Sequence, residues 1–175
     1  MLESNKQAVE IRHPHRTFPG QIFISSTMIT IRQALSADLE QIAALFDLYR
    51  VWYDRESDQV AAKDFIKARL GNKDSEIIVA DENGTLVGFT QLYPQFSSIR
   101  MKRSWLLNDL YVLETHRRLG VSKELISAAK QLAKDTGAAG LLLETDKTNM
   151  IGNKLYPEVG FELYNHANFY WWENT

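Results

Sequence analysis

The run His116-Arg117-Arg118-Leu119-Gly120-Val121-Ser122-Lys123 concentrates cationic and small residues at one point of the chain. It follows an apolar stretch ending at Val112 and precedes a helical pattern. The first turn of a helix presents unpaired N–H groups and the positive end of the helix dipole, which suits a phosphate. Gly120 allows the backbone to approach such a group closely. Arg117 and Arg118 add charge there. Taken alone, the same residues would also serve as a basic turn that caps a helix.

A second group of residues suits proton transfer. Asp109 lies in Leu107-Asn108-Asp109-Leu110-Tyr111-Val112, and a carboxylate is a proton acceptor when its pKa is tuned by its surroundings. Tyr156 lies in a short segment opened by Asn149 and closed by Gly160. Its phenol is a proton donor, or else a core aromatic on an amphipathic helix. Side chains alternate along a strand, so Asn108 and Asp109 are expected on opposite faces. The histidines show no metal-ligand spacing: His13 and His15 sit near the N-terminus, and His116 and His166 are isolated.

These residues need elements to position them. Residues 28–34 alternate apolar and polar, as a half-buried strand does. Ser36 offers an N-cap, and Leu39, Ile42, Phe46 and Tyr49 follow at helical spacing, predicting a helix over 37–52. A second helix is expected over 58–70 with Val60, Phe65, Ile66 and Leu70 inward. Ile77-Ile78-Val79-Ala80 reads as a strand. Asn83-Gly84 is a hairpin signal, since it accepts positive φ. Residues 85–93 form the return strand, ended by Pro94, and 103–113 the next. A helix over 120–135 stops at Gly137. Leu141-Leu142-Leu143 reads as a buried strand, 149–158 as a short helix, and the aromatic stretch 161–172 as one or two final strands. The order is β-α-α-β-β-β-α-β-α-β(-β).

The chain has 175 residues, 45% of them hydrophobic and 24% charged. That is the length of one ordinary globular domain. A net charge of -2 argues against a nucleic-acid binder, which carries a basic footprint. With no cysteine, thiolate chemistry and cysteine zinc sites are excluded, and a reducing cytoplasm is the expected location. No apolar run approaches the roughly 18–20 residues that span a bilayer, so no membrane partner is expected. Residues 1–27 read as a weakly ordered extension ahead of one domain over 28–175.

At this point the chain resembles the GNAT superfamily of N-acetyltransferases. The family's pyrophosphate motif, Arg/Gln-x-x-Gly-x-Gly/Ala, lies between the fourth strand and the next helix; here it is Arg117-x-x-Gly120-x-Ser122. Downstream the family shows an Asn opening a short helix, then Leu-Tyr, then Gly-Phe, matched here by Asn149, Leu155-Tyr156 and Gly160-Phe161. The fourth strand is similar to that of the diamine acetyltransferase branch, except that Asn108 replaces the first carboxylate of a Glu-Asp pair and cannot take a proton. Ser122 stands where Gly or Ala is usual. Gly152 replaces a frequent Ala at a cost of roughly 1 kcal/mol in helix propensity. Pro157 follows Tyr156 and removes a backbone donor.

The resemblance implies an α/β GNAT fold, with a mixed, mostly antiparallel sheet of six to seven strands flanked by about four helices. It implies acetyl-coenzyme A as co-substrate, no metal, and direct transfer to an amine. Backbone amides of Arg117, Arg118, Leu119, Gly120, Val121, Ser122 and Lys123 would hold the pyrophosphate. Leu110, Tyr111 and Val112 would line the acetyl group, with the N–H of Leu110 or Val112 on its carbonyl. Asn149 would contact the pantetheine arm and Tyr156 would protonate the leaving thiolate. Asp109 is the candidate base, directly or through water, with Glu144 as another candidate. The polar loop 53–58 and the aromatics Trp52, Tyr53, Tyr93 and Phe96 are candidates for walls of the acceptor site. A cationic small molecule is the expected acceptor; a peptide or protein amine and a non-catalytic acyl-coenzyme A module are the alternatives. Family members often pair through the C-terminal region, and the aromatic stretch there suggests a homodimer.

Overall fold

Alternating apolar residues make the first strand and a salt-bridged corner turns it into the first helix. The computed structural model describes residues 29–174; the expectation for residues 1–27 lies outside them. Strand β1 (Ile29–Gln33) leads through a 3-10 turn, Ser36–Asp38, into helix α1 (Leu39–Trp52). Ser36 was the expected cap, but it stands inside that turn. Asp38 organises the corner instead, accepting the Leu35 N–H at 2.7 Å and Arg32 Nη1 at 2.7 Å. Arg32 reaches Asp81 as well, at 2.8 Å. The Arg32 guanidinium holds the Asp38 carboxyl below its ordinary range. Charge-assisted bonds of this kind outcompete a neutral serine hydroxyl.

Helix α2 (Gln59–Asn72) is capped by Asp58, which accepts the Ala61 N–H at 2.9 Å. Its buried positions are Ala62 and Ile66, four apart as one helix face requires. Val60 falls on the opposite side and is exposed, contrary to the inward position expected. Strand β2 (Glu76–Glu82) turns at Asn83 (φ 53°) and Gly84 (φ 90°), both positive as the Asn-Gly signal predicts, into β3 (Thr85–Ser97).

β3 does not stop before Pro94; it pairs Pro94 with Trp105 of β4 (Lys102–Val112). Trp105 donates its N–H to Gly140 on its other side, at 3.0 Å. Pro94 therefore turns its missing donor away from β4. On that side β2 has already ended, at Glu76 opposite Leu92, so the proline breaks no ladder bond.

Helix α3 (Val121–Asp135), strand β5 (Leu141–Leu143) and helix α4 (Met150–Glu158) complete the described elements. The sheet order is β1-β2-β3-β4-β5, antiparallel except for β4 with β5. Helices cover both faces. Ile42, Leu45, Phe46, Ala62 and Ile66 pack on Ile77, Val79, Phe89 and Tyr111. Leu125, Ile126, Ala129 and Leu132 pack on Ile78, Val87, Leu92 and Leu107, with Leu155 and Tyr156 of α4 beside them.

The described sheet thus has five strands, where six to seven were expected. Residues 161–174 form no strand, and Leu163, Tyr164, Phe169, Tyr170, Trp171 and Trp172 are exposed. Strand propensity measures fit to a partly buried pleated surface, and the edge available to this stretch, β5, is three residues long. Among the described residues no helix is long and apolar enough to cross a membrane.

Candidate active site

The site is set by one extra residue. Gln91 pairs with Asp109, but the next residue, Leu92, pairs with Leu107. Asn108 is therefore a bulge, which rotates the strand locally. Leu107 joins the α3-side core, while Asp109 turns to the face of α1 and α2. Without the bulge these two side chains, two apart, would share a face. The bulge also overturns the expectation that Asn108 and Asp109 face apart: Asn108 Nδ2 donates to Asp109 Oδ1 at 3.1 Å.

Asp109 is only 3% exposed. Its Oδ2 accepts from Gln91 Nε2 at 3.1 Å, and the Tyr49 hydroxyl, which donates to the Asn108 carbonyl at 3.4 Å, is close enough to favour its ionised form. Burial pushes the carboxyl up to about 6, against the lowering effect of those three groups. Tyr49 is raised in turn, by burial and then by the Asp109 charge. Tyr53 packs edge-on against Tyr49 at 5.1 Å and against Trp52 at 4.7 Å. Burial raises Tyr53 first, and the Asp109 charge adds to it.

Tyr156 arrives from α4. Its ring stands edge-on to Phe161 at 6.0 Å, which fixes the ring within the core margin. Burial, then Tyr53, pushes its phenol up to about 12. The hydroxyl makes no hydrogen bond among the described residues. Pro157 lies inside α4 without ending it; the helix continues to Glu158. Tyr53 thus interacts electrostatically with both Asp109 and Tyr156, which the sequence separates by almost fifty residues.

The other half of the site lies where β4 outruns β5. Their pairing ends at Leu107 with Leu143. Leu113 donates to Val87 at 2.9 Å, so along β4 alternate N–H groups at 109, 111 and 113 point to β3. Those of Leu110 and Val112 point the other way, into the opening past β5. Tyr111 faces the α1 core, with the Arg117 guanidinium 5.7 Å above its ring. Gly88 lies opposite Val112, and a Cβ there would come within 2.8 Å of the Tyr111 carbonyl oxygen.

Beyond Val112 the chain makes a 3-10 turn, Glu114–His116, and reaches α3. Arg118 (φ 64°) and Gly120 (φ 88°) are both left-handed. Arg118 pays steric strain for this, and such residues gather at ligand-binding turns. The N–H groups from Arg118 to Ser122 find no acceptor among the described residues, but those of Arg117 and Lys123, expected to join them, are taken: Arg117 bonds to the Glu114 carbonyl at 3.3 Å, and Lys123, like Glu124, bonds back to Gly120 as the turn and helix close. Val121 is buried and anchors the helix start. This cradle of free donors at a helix N-terminus fits a pyrophosphate. Arg117 supports it from beneath, donating to the Val112 carbonyl at 3.1 Å and pairing with Glu114 at 3.1 Å. Leu119 is exposed, and Lys123 ties α3 to α4 through Glu158 at 3.2 Å.

Asn149 caps α4. Its Oδ1 accepts the Gly152 N–H at 3.0 Å, and its Nδ2 donates to Thr145 Oγ1 at 2.9 Å. A Cβ on Gly152 would lie 2.7 Å from Asn149 Nδ2 and 3.1 Å from Thr145 Oγ1. The glycine that looks costly by helix propensity is required by the cap. Gly152→Ala is expected to lower stability by about 1–2 kcal/mol, the worth of such a cap, despite alanine's better propensity. Thermal unfolding of the two proteins checks this; a more stable variant would refute it.

The remaining candidates separate clearly. Tyr93 belongs to the Asp109 group, since Gln91 Nε2 also donates to its hydroxyl. Phe96 does not; it lies further along the hairpin beside Arg103 and is exposed. Glu144 is exposed, just past β5. In loop 53–58, the Asp58 carboxylate is engaged in capping α2, while Asp54 and Glu56 are exposed. The loop is tied down by Asp47, a buried residue of α1 that accepts Ser57 Oγ at 2.6 Å and the Asp58 N–H at 2.9 Å.

Sequence reasoning missed Asp47 and Gln91 and gave Tyr49 only a core role. The available signals were a carboxylate on the apolar face of α1 and an amide inside an apolar strand. Among the described residues, no three His, Asp or Glu side chains are grouped to hold a metal.

The Acetyltransferase (GNAT) family model matches residues 39–161. The chain is 47% identical over 134 residues to the uncharacterized N-acetyltransferase YhfO of Bacillus subtilis, covering 77% of this chain and 90% of that protein. It is 32% identical over 108 residues to a probable acetyltransferase of Haemophilus influenzae, covering 61% of this chain and 74% of that one. Its fold superimposes on a crystal structure of a probable acetyltransferase with a TM-score of 0.79 and 38% identity, covering 83% and 97% of the two chains. With the matched region spanning both the donor-rich turn and Tyr156, the chain belongs to the GNAT family of acetyltransferases, whose acetyl donor is acetyl-coenzyme A.

Proposed function

We propose that the chain transfers the acetyl group of acetyl-coenzyme A directly to a primary amine of a cationic small molecule. The observation that carries this reading is Asp109: a buried carboxylate bordered by Tyr49 and by Tyr53, which also acts on Tyr156. A carboxylate among aromatic faces suits a cation.

An alkyl amine with a lysine-like pKa of about 10.4 must shed a proton before it attacks, at a cost of roughly 4–5 kcal/mol at neutral pH. Asp109 takes that proton. A carboxyl tuned to about 6 is ionised at pH 7 yet more basic than an ordinary aspartate, as a general base should be. The N–H groups of Leu110 and Val112 receive the acetyl carbonyl oxygen and stabilise the charge it gains in the transition state. Tyr156 donates its proton to the departing thiolate. A phenol held near 12 stays protonated at neutral pH, so the donor is always loaded. The amides of 118–122 hold the pyrophosphate, and Asn149 retains one N–H for the pantetheine arm.

A thiol-release assay with acetyl-coenzyme A and a panel of polyamines, amino acids, aminoglycosides and peptides tests the proposal. Turnover is expected with cationic small amines. Turnover confined to peptides would overturn the substrate class. Cofactor binding without turnover on any amine would overturn the catalytic reading.

A further inference from the structure

Gln91 is a buried amide on the apolar, α1-side face of β3. It is fully buried in the middle of β3, on the face of Phe89 and paired with Asp109 next to the Asn108 bulge. Its Nε2 serves two partners, Asp109 Oδ2 at 3.1 Å and the Tyr93 hydroxyl. Its Oε1 is buried and has no partner. A leucine at this position would leave no such orphan, and an orphaned buried acceptor carries a desolvation penalty. Turning the amide over would not help, because it would set the carbonyl oxygen against the carboxylate. The amide is therefore held in the one orientation that serves Asp109, at the expense of its own oxygen.

We infer that Gln91 is a positioning residue for the transfer reaction: its amide fixes the Asp109 carboxylate at the bulge in the orientation that meets the acceptor amine, and Tyr93 locks the amide in place. The inference rests on Asp109 acting as the base.

Groups on every neighbouring element bear on Asp109. Tyr49 faces it from α1, Tyr53 from just past the end of that helix, Tyr93 from β3 and Asn108 from its own strand. Arg69 of α2 and Asp74 act on Tyr93 from beyond. Gln91 and Asn108 supply amide donors to its two oxygens, one each. A donor that stabilises the carboxylate lowers its proton affinity. Losing Gln91 must therefore raise Asp109 above about 6, by roughly one further pKa unit for a hydrogen bond to a charged group.

The test compares wild type with Gln91→Leu, and with the milder Tyr93→Phe in case the first folds poorly. Two readouts are taken: the carbon-13 titration of the Asp109 carboxyl by NMR, and kcat/KM for the amine against pH. In Gln91→Leu the carboxyl titration and the acid limb are both expected to move up together. Activity would fall about fivefold at pH 6 and little at pH 9, from the fraction of carboxylate ionised. KM for acetyl-coenzyme A should stay unchanged. Tyr93→Phe should shift both in the same direction by less. An Asp109 titration unmoved in both variants overturns the inference. A carboxyl titration that moves while the rate profile does not would uphold Gln91's hold on Asp109 and overturn Asp109 as the base.

Discussion

Asp109→Asn is expected to lower kcat/KM for the amine by about 10²–10³-fold at pH 7.5, within the range of general base contributions. The substitution keeps the side-chain shape and removes the proton-accepting charge. In the wild type, kcat/KM should rise as pH rises through about 6, where the buried carboxyl ionises. The variant should lack that limb. A rate near wild type, or an acid limb that survives the substitution, would remove Asp109 from the mechanism.

The same group leaves a mark on stability, with a sign opposite to that of a salt-bridged aspartate. Its folded pKa lies above its unfolded value, so between 3.8 and about 6 the folded state binds the extra proton. Folding stability therefore falls as pH rises through that window. The rise in pKa corresponds to about 3 kcal/mol, at about 1.4 kcal/mol per tenfold. Relative to wild type, Asp109→Asn should gain stability as pH is raised from 4 to 6, and the difference should be flat above 7. Denaturant unfolding of both proteins across this range measures it. A base kept at the cost of stability is what a buried catalytic carboxyl entails.

Tyr156→Phe should reduce kcat by at least about tenfold, as the loss of a general acid does. Its melting temperature should barely change. The ring that packs edge-on to Phe161 is retained, and the hydroxyl removed has no hydrogen-bond partner among the described residues. KM for acetyl-coenzyme A should stay near the wild-type value, because the pyrophosphate turn is untouched. Because the phenol is held near 12, it should add no alkaline limb to the wild-type profile below about pH 11. Full turnover in the variant would show that another group, or water, protonates the thiolate.

These two residues differ in how far the sequence revealed them. Tyr156 was legible because its neighbours are local: an Asn cap, a short helix and Gly160 (φ 81°) at its end. Asp109 was legible as a carboxylate but not as a buried one facing α1. Strict alternation along β4 placed it wrongly relative to Asn108, because the register slips opposite Gln91 and Leu92. Nothing in residues 102–112 announces that slip. It depends on how two strands agree over their whole length.

The sequence by itself determined the parts whose geometry closes within a few residues. These are the Asn83-Gly84 hairpin, the apolar face of α1, and the glycine turn from Arg117 to Ser122 that opens α3. Local backbone preference and periodicity suffice for such features. The tertiary structure alone decided the rest. It gathered Tyr49, Gln91 and Asp109 from α1, β3 and β4 into one buried group, and set Tyr53 at the end of α1 where it acts on both Asp109 and Tyr156 of α4. It placed Asn108 in a bulge, and it left the aromatic run 161–172 unpaired despite strong strand propensity. The physical reason is common to all three. Burial, proton affinity and strand pairing are properties of what surrounds a residue, and those surroundings come from segments far away in the chain.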